Sequence, residues 1–166
     1  GIYINFQGDG DGFYSKDALL EVFEGVDSEK DIFISARIER VSPEGKSLYF
    51  SKHIEKFNKI SLLFRMSLPH QGLFTHINYF KKHGLFDVNN TFCMDYEHLL
   101  RSYHDFPNVV TKNIIVAKWR ADGLGSNRAL EIFKEYDEIK RKHKVLNKFF
   151  LSMINAWILF KYGIKK

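Results

Sequence analysis

The alternation of apolar and polar positions marks out a mixed series of strands and helices. Ile2-Tyr3-Ile4-Asn5-Phe6 is a β-branched and aromatic run that reads as a strand. A glycine-rich turn follows, and Ser15 is placed to cap a helix over 16–24, with Leu19, Leu20, Val22 and Phe23 as its apolar side and Gly25 as its stop. Strand-like runs over 31–41 and 46–50 flank Ser42-Pro43-Glu44-Gly45, a turn composition that predicts a β-hairpin. Residues 51–60 read equally as a loop or a short helix, and 62–66 as a strand. Pro69 disfavours helix at Leu68, which leaves His70 and Gln71 in a loop or at the start of the next element.

Beyond this point helices dominate. Thr75 is placed to cap a helix ending at Gly84, with Ile77 and Phe80 facing inward. A further helix is expected over 95–104, where Leu99, Leu100 and Tyr103 recur at helical spacing. Residues 113–119 form the clearest late strand, and Ser126 caps a long helix carrying Leu130, Ile132, Phe133, Tyr136 and Ile139. Leu146, Phe149, Phe150, Met153, Ile154, Trp157 and Ile158 then form one apolar stripe flanked by Lys144, Lys148, Lys161, Lys165 and Lys166. The pattern predicts an α/β fold, a mixed sheet with an antiparallel element flanked by helices, ending in a basic amphipathic helix over 144–166.

Composition narrows the function. The chain has 166 residues, 45% hydrophobic and 27% charged, as a folded domain does, and its single Cys93 excludes an internal disulfide and fits a reducing cytoplasm. Its net charge is +5, yet eight Lys/Arg and no Asp or Glu lie from Ile139 onward, leaving −3 on the preceding residues. That distribution argues against nucleic acid as a partner, which would need cations across the globular part. The chain begins at Gly1, without an initiating Met and one residue before a strand, and so reads as part of a longer polypeptide.

The candidate chemistry centres on Gly8-Asp9-Gly10-Asp11-Gly12. In extended backbone Asp9 and Asp11 would point the same way, and two hard oxygen ligands on an uncrowded loop suit Mg²⁺ or Mn²⁺ completed by water and substrate phosphates. Ordinary turn chemistry accounts for the same residues. An EF-hand starting at Asp9 would need Gly and Glu where Tyr14 and Leu20 stand, and a dinucleotide fingerprint would need Gly in place of Phe13. Arg120, at a strand end, is placed to meet phosphate oxygens, or else is solvated or paired with a carboxylate. His70 reads as a site residue or as an exposed loop histidine, and Asp95 as a helix cap. The other histidines lack zinc spacing, and Cys93 reads as a small buried residue.

Five motifs, in order, resemble the family two glycosyltransferases of bacterial polysaccharide synthesis: Tyr3 to Tyr14 with its Asp-x-Asp, Leu68-Pro69-His70-Gln71-Gly72, His83-Gly84-Leu85-Phe86-Asp87, Met94-Asp95-Tyr96-Glu97-His98-Leu99-Leu100-Arg101, and Gly123-Leu124-Gly125-Ser126. The resemblance implies a GT-A fold over 1–143, incomplete at its N-terminal, nucleoside-binding side. It implies transfer of a sugar, with inversion, from a nucleotide-diphosphate donor, a UDP-sugar being favoured, to a hydroxyl of a saccharide or lipid-linked acceptor. Asp11 and Asp9 would then hold Mg²⁺ or Mn²⁺ and the donor diphosphate, Asp95 would be the catalytic base, and His70 and Gln71 would lie beside the acceptor and donor sugar. Two departures stand out: Gly10 replaces the first of a usual Asp pair, and Gly125 a usual Ser. The implied location is cytoplasmic, peripheral on the inner face of the cell membrane. Two readings of the tail remain open, an in-plane helix at an anionic membrane surface and a helix that docks on another domain or subunit. A non-catalytic membrane- or partner-binding module is the rival to the enzyme.

Overall fold

The computed structural model describes residues 1–163, so Lys165 and Lys166 of the basic flank lie outside the described residues. The chain is mixed α/β and divides into two compact units, each assembled from three separate segments. The first comprises Gly1–Phe57, Leu68–Gly84 and Pro107–Gly123, and the second comprises Asn58–Ser67, Leu85–Phe106 and the chain from Leu124 onward.

The first unit holds a six-stranded mixed sheet: β1 (Tyr3–Ile4), β2 (Gly12–Phe13), β3 (Phe33–Val41), β4 (Ser47–Phe50), β5 (Leu73–His76) and β6 (Val109–Arg120). Its order is β1-β5-β3-β6-β2, with β4 paired to β3. The β3 and β6 strands run parallel, from Phe33 opposite Val109 to Val41 opposite Arg120, and every other pairing is antiparallel. The expected hairpin is β3–β4, turned through Gly45 at φ +82°. Both faces of β3 are largely buried, as expected of the central strand.

Helix α1 (Ala18–Phe23) and helix α2 (Ile77–His83) belong to the same unit. Ala18 and Val22 of α1 pack against Ile34, Ala36 and Ile38 of β3, Phe74 of β5, and Val116 and Ala117 of β6. Full burial of a side chain such as Val22 contributes about 1.5–3 kcal/mol. Tyr3 and Phe74 each bring a ring within 5.2 Å of Phe23, closing the edge of this cluster.

Several local expectations are corrected. The helix α1 starts after Asp17 rather than at Ser15, and the face that it buries carries Ala18 and Val22, leaving Leu20 75% exposed. Residues 62–66 form no strand: Lys59–Leu63 is a 3₁₀ turn capped by Asn58, whose side chain accepts from the Ile60 amide at 3.0 Å. Five apolar-rich residues are too few for periodicity to separate a strand from a tight helix. Thr75 lies in β5, and His76 caps α2 through Nδ1, which accepts from the Asn78 amide at 3.0 Å. Strand β6 begins four residues earlier than the pattern suggests.

The second unit is helical: α3 (Met94–Leu100), α4 (Ala129–Lys142) and α5 (Lys148–Lys161). The expected helix over 95–104 stops at Leu100 and gives way to a 3₁₀ turn at Tyr103–Asp105. Ser126 does not cap α4, which begins after Arg128 without a side-chain cap. In α5 the buried side chains are Leu151 and Ile158, with Ile154 and Asn155 half-buried beside them. Of the expected stripe, Phe149, Phe150, Met153 and Trp157 are exposed instead.

Candidate functional site

The glycine corner is built from the end of β6 inward. Tyr14 donates its amide to Val116 O at 2.8 Å, and β2 pairs with Ala117 and Lys118, which brings the chain before β2 to the carboxyl ends of β3 and β6. Residues 8–11 form a turn closed by Asp11 N donating to Gly8 O at 3.1 Å. Gly10 sits at φ +79°, the value that the third position of a type II turn requires. A Cβ there would also overlap the Arg120 guanidinium. The backbone at Asp9 and Gly10 is therefore turned, so the same-side argument for Asp9 and Asp11, which assumed extended chain, does not apply.

Asp11 is the hub of this corner. Its Oδ2 accepts from Gly8 N and from Gln71 Nε2, both at 3.0 Å, and its Oδ1 accepts from Arg120 N at 2.8 Å. Three segments, 8–11, 70–71 and 120–122, are thus joined on one carboxylate. Asp9 is exposed. The Arg120 side chain pairs with Asp122, Nε to Oδ1 at 2.6 Å, which realises the carboxylate-pairing alternative. Its guanidinium is held above its usual range by Asp122 first, with smaller contributions from Asp9 and Asp11.

A second layer holds the 70–72 turn. Asn5 Nδ2 donates to Gln71 O at 3.0 Å and to Leu73 O at 2.9 Å, and Gln7 Nε2 donates to Gln71 O at 3.0 Å. Asn5 and Gln7 alternate along the extended segment leaving β1, a period of two that could have identified them in the sequence. Gln7 Oε1 is buried without a hydrogen-bond partner. His70 stacks on Phe6 with ring centroids 5.8 Å apart and planes 17° apart. Gly72 is required by packing, since a Cβ would collide with Ala36 O of β3.

The corner meets the requirements of a hard divalent ion in part. Asp9 has both oxygens available, whereas Asp11 Oδ2 already accepts two hydrogen bonds and Oδ1 one, leaving one lone pair on Oδ1. Two carboxylates with water and phosphate oxygens suffice for Mg²⁺. Among the described residues no group of three or more His, Cys, Asp or Glu side chains is arranged around a metal site.

Asp95 belongs to the second unit, in the first turn of α3, where its Oδ1 accepts from the Tyr96 amide at 2.7 Å. A carboxylate there is favoured by the helix dipole. Burial pushes the Cys93 thiol far up, with Glu135 and Asp95 adding to the effect, so Cys93 is an inert buried residue.

The buried acid of this unit is Glu97, which the sequence reading passed over. Its side chain is 1% exposed and accepts from Arg101 Nη2 at 2.6 Å and Nε at 2.9 Å, while His143 Nε2 lies 2.8 Å and Lys142 Nζ 3.3 Å away. Burial alone would push the Glu97 carboxyl up, but Arg101, His143 and Lys142 outweigh it and hold it below its usual range. Arg101 also donates to Leu85 O at 2.8 Å, and Lys142 reaches Asp87 at 2.8 Å. The 85–87 and 95–101 motifs are therefore tied together by charge. The four-residue spacing of Glu97 and Arg101 was the available signal.

No protein-family model and no curated protein sequence matches the chain.

Proposed function

We propose that the chain is the metal- and acceptor-side portion of a GT-A glycosyltransferase, transferring a sugar with inversion from a nucleotide-diphosphate donor, a UDP-sugar being favoured, to a hydroxyl of a saccharide or lipid-linked acceptor in cell-surface polysaccharide synthesis. The observation that supports this reading is the meeting of the Asp-x-Asp corner, the Pro-His-Gln segment and the end of β6 on the Asp11 carboxylate. The first two are segments that the resemblance assigns to donor and acceptor, and the corner lies at the carboxyl ends of the parallel strands β3 and β6, where ligands of α/β sheets gather.

In this reading Asp9 and the remaining lone pair of Asp11 would hold Mg²⁺ or Mn²⁺. When bound, the ion would offset the charge that develops on the departing diphosphate. Gln71 keeps the Asp11 carboxylate in place, and Arg120 supplies positive charge at the same corner once it exchanges Asp122 for phosphate oxygens. Asp95, to which the resemblance gives the role of base, would take the proton of the attacking hydroxyl.

Calorimetric titration of UDP in the presence and absence of Mn²⁺ tests the proposal. Metal-dependent binding is expected to fall at least about tenfold in Asp9→Asn, with the melting temperature unchanged because Asp9 is exposed. Asp95→Asn is expected to keep UDP binding and lose transfer. An absence of metal-dependent UDP binding by the wild-type protein, or its retention in Asp9→Asn, would overturn this assignment.

A further inference from the structure

The outer face of α5 carries a surface that the proposed chemistry does not use. At 100° per residue, Phe149, Phe160, Met153, Trp157 and Phe150 fall within about 100° of the helix circumference, and Leu151, Ile154, Asn155 and Ile158 within the opposite arc. The second set packs inward, where Asn155 Oδ1 accepts from Lys140 Nζ at 2.7 Å. The first set faces solvent, with Phe149 69% and Phe160 86% exposed. Five large apolar side chains side by side on one short helix make a patch that demands an explanation, unlike scattered surface hydrophobes.

Charge selects the occupant. The sequence from Ile139 onward holds no Asp or Glu. Lys144, Lys148 and Lys161 bracket the helix, and Lys161 lies 4.7 Å from the centroid of the Trp157 ring. Aromatic rings with lysines at both ends and no carboxylate match the layered chemistry of an anionic bilayer surface, acyl chains below and phosphates above. A helix of 14 residues is about 21 Å long, too short to span hydrocarbon, and among the described residues no helix is long and apolar enough to cross a membrane.

We propose that the Phe149, Phe150, Met153, Trp157 and Phe160 face of α5 lies in the plane of an anionic lipid surface, with Lys144 and Lys161 at the headgroups. This docking stands independently of the glycosyltransferase reading. The test is flotation of the protein with vesicles of equal parts phosphatidylglycerol and phosphatidylcholine, set against pure phosphatidylcholine. Two lysines near the surface predict binding roughly thirtyfold weaker to the neutral vesicles. Phe149→Asn with Phe160→Asn, both on exposed positions, should abolish flotation while leaving the far-UV circular dichroism and UDP titration unchanged.

Three results would each overturn the proposal: no flotation of the wild-type protein, equal binding to neutral vesicles, or flotation that survives the double substitution. Sedimentation equilibrium covers the remaining occupant. A dimer formed without lipid and lost in the double variant would assign the face to a second copy instead.

Discussion

Lys140 is the charged group whose environment makes the sharpest quantitative demand. It is 1% exposed on the inner side of α4, with Nζ donating to Leu63 O at 3.2 Å and to Asn155 Oδ1 at 2.7 Å. Burial draws its ammonium down from 10.5 to about 8, against a pull upward from Asp137 and with a small further push downward from Arg141. Each tenfold change in proton affinity is worth about 1.4 kcal/mol, so at pH well below 8 keeping this lysine charged costs the folded state about 3 kcal/mol. Between about 8 and 10.5 the unfolded chain holds more protons than the folded one, and stability attributable to Lys140 therefore rises with pH. About 2 kcal/mol of the cost should be recovered between roughly pH 7.5 and 9.5.

Other groups act in the opposite direction over part of that range. Burial raises the Cys93 thiol and the Tyr96, Tyr103 and Tyr136 phenols, so stability held by these groups declines as the unfolded chain begins to ionise them. They are common to the wild-type protein and to Lys140→Met, and they cancel in the difference between the two. Urea unfolding of both proteins, followed by far-UV circular dichroism at a series of pH values, gives that difference directly. It should shift by about 2 kcal/mol in favour of the lysine form between roughly pH 7.5 and 9.5. A difference that stays flat to within about 0.5 kcal/mol would mean that Lys140 remains hydrated and charged, and would refute the burial argument.

Other substitutions probe other parts of the chain. Glu97→Gln should cost about 3–5 kcal/mol in urea unfolding, because Arg101 and His143 lose their carboxylate. The same variant should flatten the acid limb of the stability profile: a carboxyl held low stabilises above its unfolded value, about 4.5, and that stability is lost as the pH falls through the folded value. Asp87 is held at about 2 by Lys142 first and then by the Asn89 amide and side chain, so Asp87→Asn should lower the melting temperature above about pH 4, with the effect shrinking as the pH falls toward 2. Gly72→Ala should destabilise by about 1–3 kcal/mol, since its methyl must displace the β3 backbone at Ala36. Phe74→Ala should cost about 3–5 kcal/mol, as expected for a large aromatic that is 2% exposed in the sheet core.

What the sequence revealed followed from local chemistry. The β3–β4 hairpin was legible because Pro43 and Gly45 supply turn geometry between two strand-like runs, and Gly25 and Gly84 marked helix ends because both sit at positive φ. Caps were less legible. Ser15, Thr75 and Ser126 have the right chemistry, yet the helices begin after Asp17, His76 and Arg128, and of these three only His76 caps with its side chain. The tail shows the limit of periodicity most plainly. Residues 149–160 are apolar on nearly every side, so three- and four-residue spacing admits more than one stripe, and it is the burial of Leu151 and Ile158 and the Lys140 partner of Asn155 that mark the inward face.

The site was legible as composition and hidden as wiring, for a reason rooted in the topology. Asp11 gains its meaning from Gln71 and from the Arg120 amide, 60 and 109 residues away in the chain. Its position depends on β6 lying parallel to β3, and a parallel pair needs a long connection whose path no local pattern records. Here that connection runs through β4, β5, α2 and α3 and contributes segments to both units before Val109 returns opposite Phe33. The corner consequently cannot form before the chain has closed a loop of this length, an entropic cost paid ahead of any stabilising contact. Glycine at positions 10 and 72 is the residue-level trace of that closure. One makes room for the Arg120 guanidinium as well as taking the positive φ of its turn, and the other makes room for the Ala36 carbonyl, so neighbours distant in sequence bear on both glycines.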